Sequence, residues 1–340
     1  MIKKNIRNFF LLVGLIAFAI WFALHKNYQE VIHNLKEIPF YTIVFVCLLG
    51  ILYYCIQGYL LTCFARKYKK DTRLLDGIEN AYIAAFFNGV TPLGGGQIAQ
   101  SYAFRKIGIS LSNIASILWV DFFMYQLAAI SLAVFLVLSN LNFALGILGG
   151  SFVLLLVGIG INSFVIIALW MMSRFPKLFI SITHFAINVL FKIKIIKNKE
   201  ETLENWTENL NYFSKEVSTL RNNLAFIISG VGLNIVRLLI FYIIPYFIAL
   251  SLKIEFTLVE VIHVIAVSSF IHMLNALTPL PGDTGFTETV FIMIFANLFG
   301  NAHAAAIMII WRSATYYINI LIGGVFFLIF KMKKNKIQEN

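Results

Sequence analysis

Long apolar runs alternate along the chain with short polar breaks rich in lysine. Six of these runs approach or exceed the roughly 20 residues that carry a helix across a bilayer. They cover 8–24, which is somewhat short, 40–64, 111–139, 144–172, 224–251 and 302–330. Two further segments, 76–106 and 258–300, are interrupted in the middle by TPLGGG and TPLPGD. Proline lacks an amide hydrogen and glycine favours non-helical conformations, so neither stretch continues a helix. Each is expected to form a helical hairpin that enters and leaves on the same side. The pattern predicts an all-α polytopic membrane protein with about six full spans plus two broken-helix or re-entrant hairpins, eight or more membrane segments in all.

The two interruptions resemble each other. NGVTPLGG, residues 88–95, and NALTPLPG, residues 275–282, share Asn, Thr, Pro, Leu and Gly at a constant offset of 187 residues. The same offset carries 40–64 onto 227–251 and 111–139 onto 298–326. The reading is an inverted repeat, 1–140 and 141–340, each unit being span, span, hairpin, span. Such repeats are typical of transporters, whose binding site lies near the midplane where interrupted helices meet.

A cytoplasmic insertion at 174–223 breaks this symmetry. Its apolar stretch 178–191 is followed by Lys192, Lys194, Lys197 and Lys199, which suits an interfacial helix on anionic lipid. Leu203, Trp206, Leu210, Phe213, Val217 and Leu220 then recur at three and four, the stripe of an amphipathic helix. The expectation is a structural cover on the inner surface, with a gate or docking element as the alternative. Outside, Val31, Ile32, Leu35 and Ile38 form a shorter stripe.

Composition removes the soluble alternatives: 60% of the 340 residues are hydrophobic, 13% are charged, mean hydropathy is +0.83 and 33 residues are Phe. The basic start and apolar 9–24 lack a small-residue cleavage site, so a retained first span is expected. With the N-terminus inside and each hairpin returning to its own side, 22 of the 27 Lys and Arg fall in cytoplasmic segments. Only Lys26, Lys36 and Lys253 fall outside, and Arg237 and Arg312 within spans. Both termini are therefore expected in the cytoplasm, at the cell membrane. The formal charge of +11 reflects this asymmetry and attraction to an anionic lipid surface, not nucleic acid. Cys47, Cys55 and Cys63 have no paired spacing and read as small core residues; no metal or other cofactor is expected.

Irregular backbone within the hydrocarbon layer is tolerated only where it is buried in protein or lines a wet cavity. Both turns should therefore meet at a polar cavity. Gly94, Gly95 and Gly96 allow amides to converge as an anion nest, and a helix resuming near Gln97 adds the positive end of its dipole, which would suit a phosphate. At the second turn Asp283 or Thr284 is a candidate N-cap, with Glu288 about a turn inward; these carboxylates could hold a cation or a proton. The plain alternatives are a tight turn without ligand and a carboxylate that only caps. Asn88, Thr91, Pro92, Arg105, Asn275, Thr278, Pro279 and Gly282 complete the candidate substrate-binding set with Arg237 and Arg312. Charges within spans are expensive and face partners or water. Asp121 and Arg312, in pseudo-equivalent spans, are expected to pair, while Arg237 is either a site for an anionic ligand or a structural ion-pair partner. Glu79 is expected to be exposed, and His263 and His272 to be hydrogen-bonded core residues.

PLGGGQIAQSYAFR, residues 92–105, the KIGIS that follows it, and PLPGDTGFTE, residues 279–288, resemble the two signature turns of the lysylphosphatidylglycerol synthase transmembrane, or flippase-like, family. The resemblance covers nearly the whole chain and implies a bacterial-type lipid flippase fold. The chain stops at Asn340, so the aminoacyl transferase domain of two-part relatives is expected to be absent, and a separate lipid-modifying enzyme is a candidate partner. Gln97 stands where relatives carry an acidic residue, which argues against a carboxylate role at the first turn. The leading expectation is a translocase moving an anionic or aminoacylated phospholipid, or a polyprenyl-phosphate lipid, between leaflets. A secondary transporter of a small soluble solute is the alternative, and a homo-oligomer is compatible with either. No GxSxG, metal-spaced His/Asp pair or paired Arg/His phosphatase motif suggests an enzyme.

Overall fold

The computed structural model describes residues 28–91, 95–192, 200, 202–204, 207 and 223–338. The expected first span 8–24, Pro92 and Gly94, and most of the amphipathic stripe 203–220 lie outside the described residues. Among the described residues all regular structure is helical. Among the described residues six helical stretches are long and apolar enough to cross a membrane: Phe40–Ala65, Leu111–Ser139, Leu141–Met171, Leu224–Ser251, Leu258–Leu277 and Asn301–Met332. Five coincide with runs read from the sequence. The sixth, Leu258–Leu277, was read as one arm of a hairpin, yet its 20 residues are enough to cross unaided.

In chain order the helices are α1 (Tyr28–Glu37), α2 (Phe40–Ala65), α3 (Leu74–Val90), α4 (Gly96–Lys106), α5 (Leu111–Ser139), α6 (Leu141–Leu148) and α7 (Phe152–Arg174). After them come α8 (Pro176–Lys192), α9 (Leu224–Ser251), α10 (Leu258–Leu274), α11 (Phe286–Phe299), α12 (Asn301–Arg312) and α13 (Ile318–Gln338). A π-helical turn, Ser313–Tyr317, joins the last two. Side-chain caps set several starts. Ser110 accepts the Asn113 N–H before α5, Asn223 accepts that of Phe226 before α9, and Glu260 reaches back to the Thr257 N–H at 2.7 Å before α10. The chain breaks after α3 and after α10, as the Pro/Gly stretches predict, and the paired arms α3/α4 and α10/α11 pack on each other.

Helix α9 is central, touching α2, α5, α10 and α12; α2 in turn packs on α3, α5 and the π turn. Lipid tails are as apolar as leucine, so helices in a membrane associate through close packing of small residues. A Cβ on Gly58 would lie 2.5 Å from the Ile78 Cα of α3, one on Gly50 would lie 2.1 Å from the Ala314 carbonyl oxygen, and one on Gly323 would lie 2.2 Å from the Tyr82 carbonyl oxygen. The backbones are in contact at these crossings. Helix α1 lies against α12, burying Val31, with Ile38 buried just beyond its end and Leu35 partly covered, as its stripe predicts. The apolar stretch 178–191 is helical within α8, and His184 bonds Thr207 at 3.0 Å.

Overpacking a tight crossing costs roughly 1–3 kcal/mol. Gly58→Ala is therefore expected to lower the thermal unfolding midpoint in detergent by several degrees. Gly160→Ala, whose Cβ meets nothing within 4 Å, should leave it unchanged or raise it.

Candidate functional site

The first break solves its backbone problem locally. The Asn88 Oδ1 accepts the Gly96 N–H at 2.8 Å and the Thr91 Oγ1 accepts the Gly95 N–H at 2.8 Å, while Thr91 donates to the Phe87 carbonyl. Side chains from the end of α3 thus cap the start of α4. A Cβ at Gly95 would stand 2.5 Å from Thr91 Oγ1 and one at Gly96 2.4 Å from Asn88 Oδ1, so a side chain at either position pushes aside the group that caps it. The expected anion nest is corrected here: the Gly95 and Gly96 amides are already occupied by Thr91 and Asn88.

The second break is held by a buried ion pair. Arg312, at the end of α12, donates from Nε to the Glu288 Oε1 at 2.7 Å and from Nη2 to the Gly282 carbonyl at 2.9 Å. The Glu288 Oε2 accepts the Gly285 N–H at 2.7 Å, so one carboxylate caps α11 and neutralises Arg312. Both side chains are buried, at 1% and 8% exposure. Two expectations are corrected. The residue preceding α11 is Gly285, with φ of 89°, rather than Asp283 or Thr284, and Arg312 pairs with Glu288 instead of Asp121. Glu288 sits 24 residues before Arg312 but one packed helix away, a proximity that spacing does not reveal. Asp283 occupies a left-handed conformation at φ 54° on the half-buried turn. Thr287 donates to the Asn275 Oδ1, Thr278 accepts the Leu280 N–H, and Pro279 is exposed.

Tyr316 joins the two breaks. Its hydroxyl donates to the Gly89 carbonyl at 3.1 Å and accepts from Thr284 at 3.1 Å, and its ring fills the place of a Cβ on Gly282. The residue comes from the π turn, a distortion that is often found at functional positions.

Beside the first break lies a cavity of about 440 Å³ between α2, α3, α4, α5 and α9. Its polar lining includes Gln57, Gln100, Asp121 and Arg237, and exposed Asn88 and Gln97 mark where it opens. Arg237 is 3% exposed and lies over two phenol rings, its guanidinium carbon 4.5 Å from the Tyr53 centroid and 4.6 Å from that of Tyr125. Nη2 donates to the Tyr53 hydroxyl at 3.1 Å, whereas Nε and Nη1 have no partner among the described residues. Asp121 is 8% exposed, and its Oδ1 is likewise without one. The Tyr125 hydroxyl bonds His272 Nε2 at 2.9 Å, and Tyr242 bonds its other ring nitrogen. His272 is thus a hydrogen-bonded core residue that steadies Tyr125. His263 instead stacks on Phe143, and Glu79 is half-buried near the start of α3 beside Arg73 and Lys106.

The candidate residues therefore divide. Asn88, Gln97, Asp121 and Arg237 line the cavity; Asn275, Thr278, Gly282, Asp283, Glu288 and Arg312 belong to the second turn; and Arg105 is exposed at the end of α4, away from both. Tyr53, Tyr125, Gln57 and Gln100 were missed. The available signal was Tyr53 with Gln57, and Asp121 with Tyr125, four apart on otherwise apolar spans.

The family model described as the lysylphosphatidylglycerol synthase TM region matches residues 9–323. The chain belongs to this family. The matched region takes in both breaks and every residue of the cavity, so the site is part of the family's membrane region. A comparison with curated proteins finds no match. Membership and the six candidate spans establish a multi-pass membrane protein of this family, consistent with a lipid-related role.

Removing one partner of a buried ion pair costs about 3–5 kcal/mol, whereas replacing both with apolar residues costs far less. Glu288→Leu is thus expected to destabilise the protein more than Glu288→Leu/Arg312→Met in thermal unfolding followed by tryptophan fluorescence.

Proposed function

We propose that the protein carries the phosphate-bearing headgroup of a membrane lipid between leaflets through the cavity beside the first break, acting as a carrier and not an enzyme. The observation that supports this reading most strongly is Arg237. A guanidinium buried in an apolar span, with two N–H-bearing nitrogens unpartnered among the described residues, on a residue that lines a chamber of about 440 Å³, is costly unless an anion completes it. That volume lies in the range of pockets that enclose small ligands and suits a headgroup whose tails stay in lipid. An anionic or aminoacylated phospholipid and a polyprenyl phosphate all carry the required group. Phosphate oxygens are strong acceptors for such charge-assisted N–H donors.

Rocking of an inverted repeat about the two breaks supplies alternating access. In support of that arrangement, the offset of 187 residues carries α2 near α9, α3 near α10 with its 3₁₀ extension, α4 near α11, and α5 near α12 to α13. Tyr316, bonded to both breaks, is the natural pivot. In this reading the lysine-rich segments and both termini face the cytoplasm.

Hydrogen bonds to charged groups contribute roughly 1.5–3 kcal/mol, so losing Arg237 corresponds to a drop of about tenfold to a hundredfold in headgroup affinity. The test is the leaflet-to-leaflet transfer of labelled phosphatidylglycerol in proteoliposomes. Arg237→Gln and Gly95→Leu should both lose transfer at wild-type reconstitution levels. Transfer at the wild-type rate in both variants would reject the proposal, and uptake of a water-soluble anion without lipid transfer would favour the solute carrier.

A further inference from the structure

The cavity holds one cation and one carboxylate, Arg237 on α9 and Asp121 on α5. Its other polar side chains are the phenols of Tyr53, Tyr54 and Tyr125 and four amides, all uncharged at neutral pH. From the neighbouring elements, α2 presents Tyr53, Tyr54 and Gln57 to Asp121, α9 presents Arg237, and α4 presents only Gln97 and Gln100. His272 of α10 is turned to Tyr125 and Tyr242, outside the cavity lining. The second buried pair, Glu288 with Arg312, is neutral within itself.

Asp121 and Arg237 therefore balance each other's charge, but they are not joined in an ion pair, although each is nine-tenths or more buried. Oδ1 of Asp121 and Nε and Nη1 of Arg237 all lack partners among the described residues. An anion that bonds a free N–H of Arg237 takes over the charge that Asp121 compensated. The cavity then holds one net negative charge in a medium of low dielectric, where an unbalanced ion is strongly penalised. One proton on the Asp121 carboxylate restores neutrality. It also turns an acceptor that would repel the anion into a group with an O–H donor.

We infer that the cavity takes up a singly anionic headgroup together with one proton, bound on Asp121, so that lipid transfer is coupled to proton movement. The inference rests on the anion site at Arg237 proposed above. The step is balanced: the proton comes from bulk water on the side where the headgroup enters, is held on Asp121 Oδ1, and leaves with the headgroup, so the loaded and empty cavities carry the same charge. By linkage, the carboxylate must be protonated for tight binding, so affinity falls as pH rises, by up to tenfold per unit. A headgroup bearing its own amine would meet Asp121 as a carboxylate and take up no proton.

The test uses the purified protein in detergent with short-chain phosphatidylglycerol, a singly anionic probe without an amine. Binding heats measured in buffers of different ionisation enthalpy give the protons taken up per headgroup. Close to one is expected for the wild type, with affinity lost as pH rises. Asp121→Asn should bind without uptake and with a flat pH profile. Binding without proton uptake in the wild type, or uptake that persists in Asp121→Asn, would overturn the coupling while leaving the Arg237 site intact. Equal binding by wild type and Arg237→Gln, or no binding by either, would remove the anion site and the coupling with it. If Asp121→Asn fails to fold, the wild-type stoichiometry decides alone.

Discussion

A peptide group or a charge placed in hydrocarbon must find its partner inside the protein, and the architecture of this chain follows from that constraint. Apolar spans meet it with intrahelical bonds. The two breaks cannot, and they meet it in different ways. At the first, Asn88 and Thr91 side chains take the exposed amides of Gly95 and Gly96. At the second, a buried carboxylate and guanidinium cap a helix, bond a loop carbonyl and cancel each other's charge. Tyr316 then bonds across both. The amides of Gly95 and Gly96 are thereby spent on caps and are not free for an anion.

Where the constraint is left open, function is indicated. At the cavity, Arg237 and Asp121 are buried without completing their hydrogen bonds, while the phenols of Tyr53 and Tyr125 hold the guanidinium face-on. In the function proposed, the ligand brings the missing acceptor. Membership of the lysylphosphatidylglycerol synthase TM region family sets this cavity in a lipid context. The charge balance within the cavity gives the carboxylate beside Arg237 a role that the turns do not supply.

Much of the fold was legible in the sequence because hydrocarbon imposes simple rules on it: spans are long and apolar, and proline with glycine interrupts them. The placement of α2, α5, α7, α9 and α13 follows from that, as do the breaks at TPLGGG and TPLPGD. The site was legible only in part. Asp121, Arg237 and Glu288 stood out as charges in apolar surroundings, but their partners depend on helix packing. Arg312 turned to Glu288, one helix away, and not to Asp121 in the pseudo-equivalent span. The aromatic walls of the cavity were hidden because tyrosine is ordinary in a membrane helix; only its recurrence with Gln57 and Asp121 at a spacing of four marks a polar face. The glycine turn looked like an anion nest because the sequence shows which amides are freed, not which side chains return to claim them.

The central claim is that Arg237 receives a lipid phosphate. Mass spectrometry of the lipids retained by gently extracted protein, set against bulk membrane from the same cells, tests it most directly. Enrichment of a phosphate-bearing lipid on the wild type, lost in Arg237→Gln with both breaks intact, is the expected result. A retained set that matches bulk lipid in both proteins would contradict it.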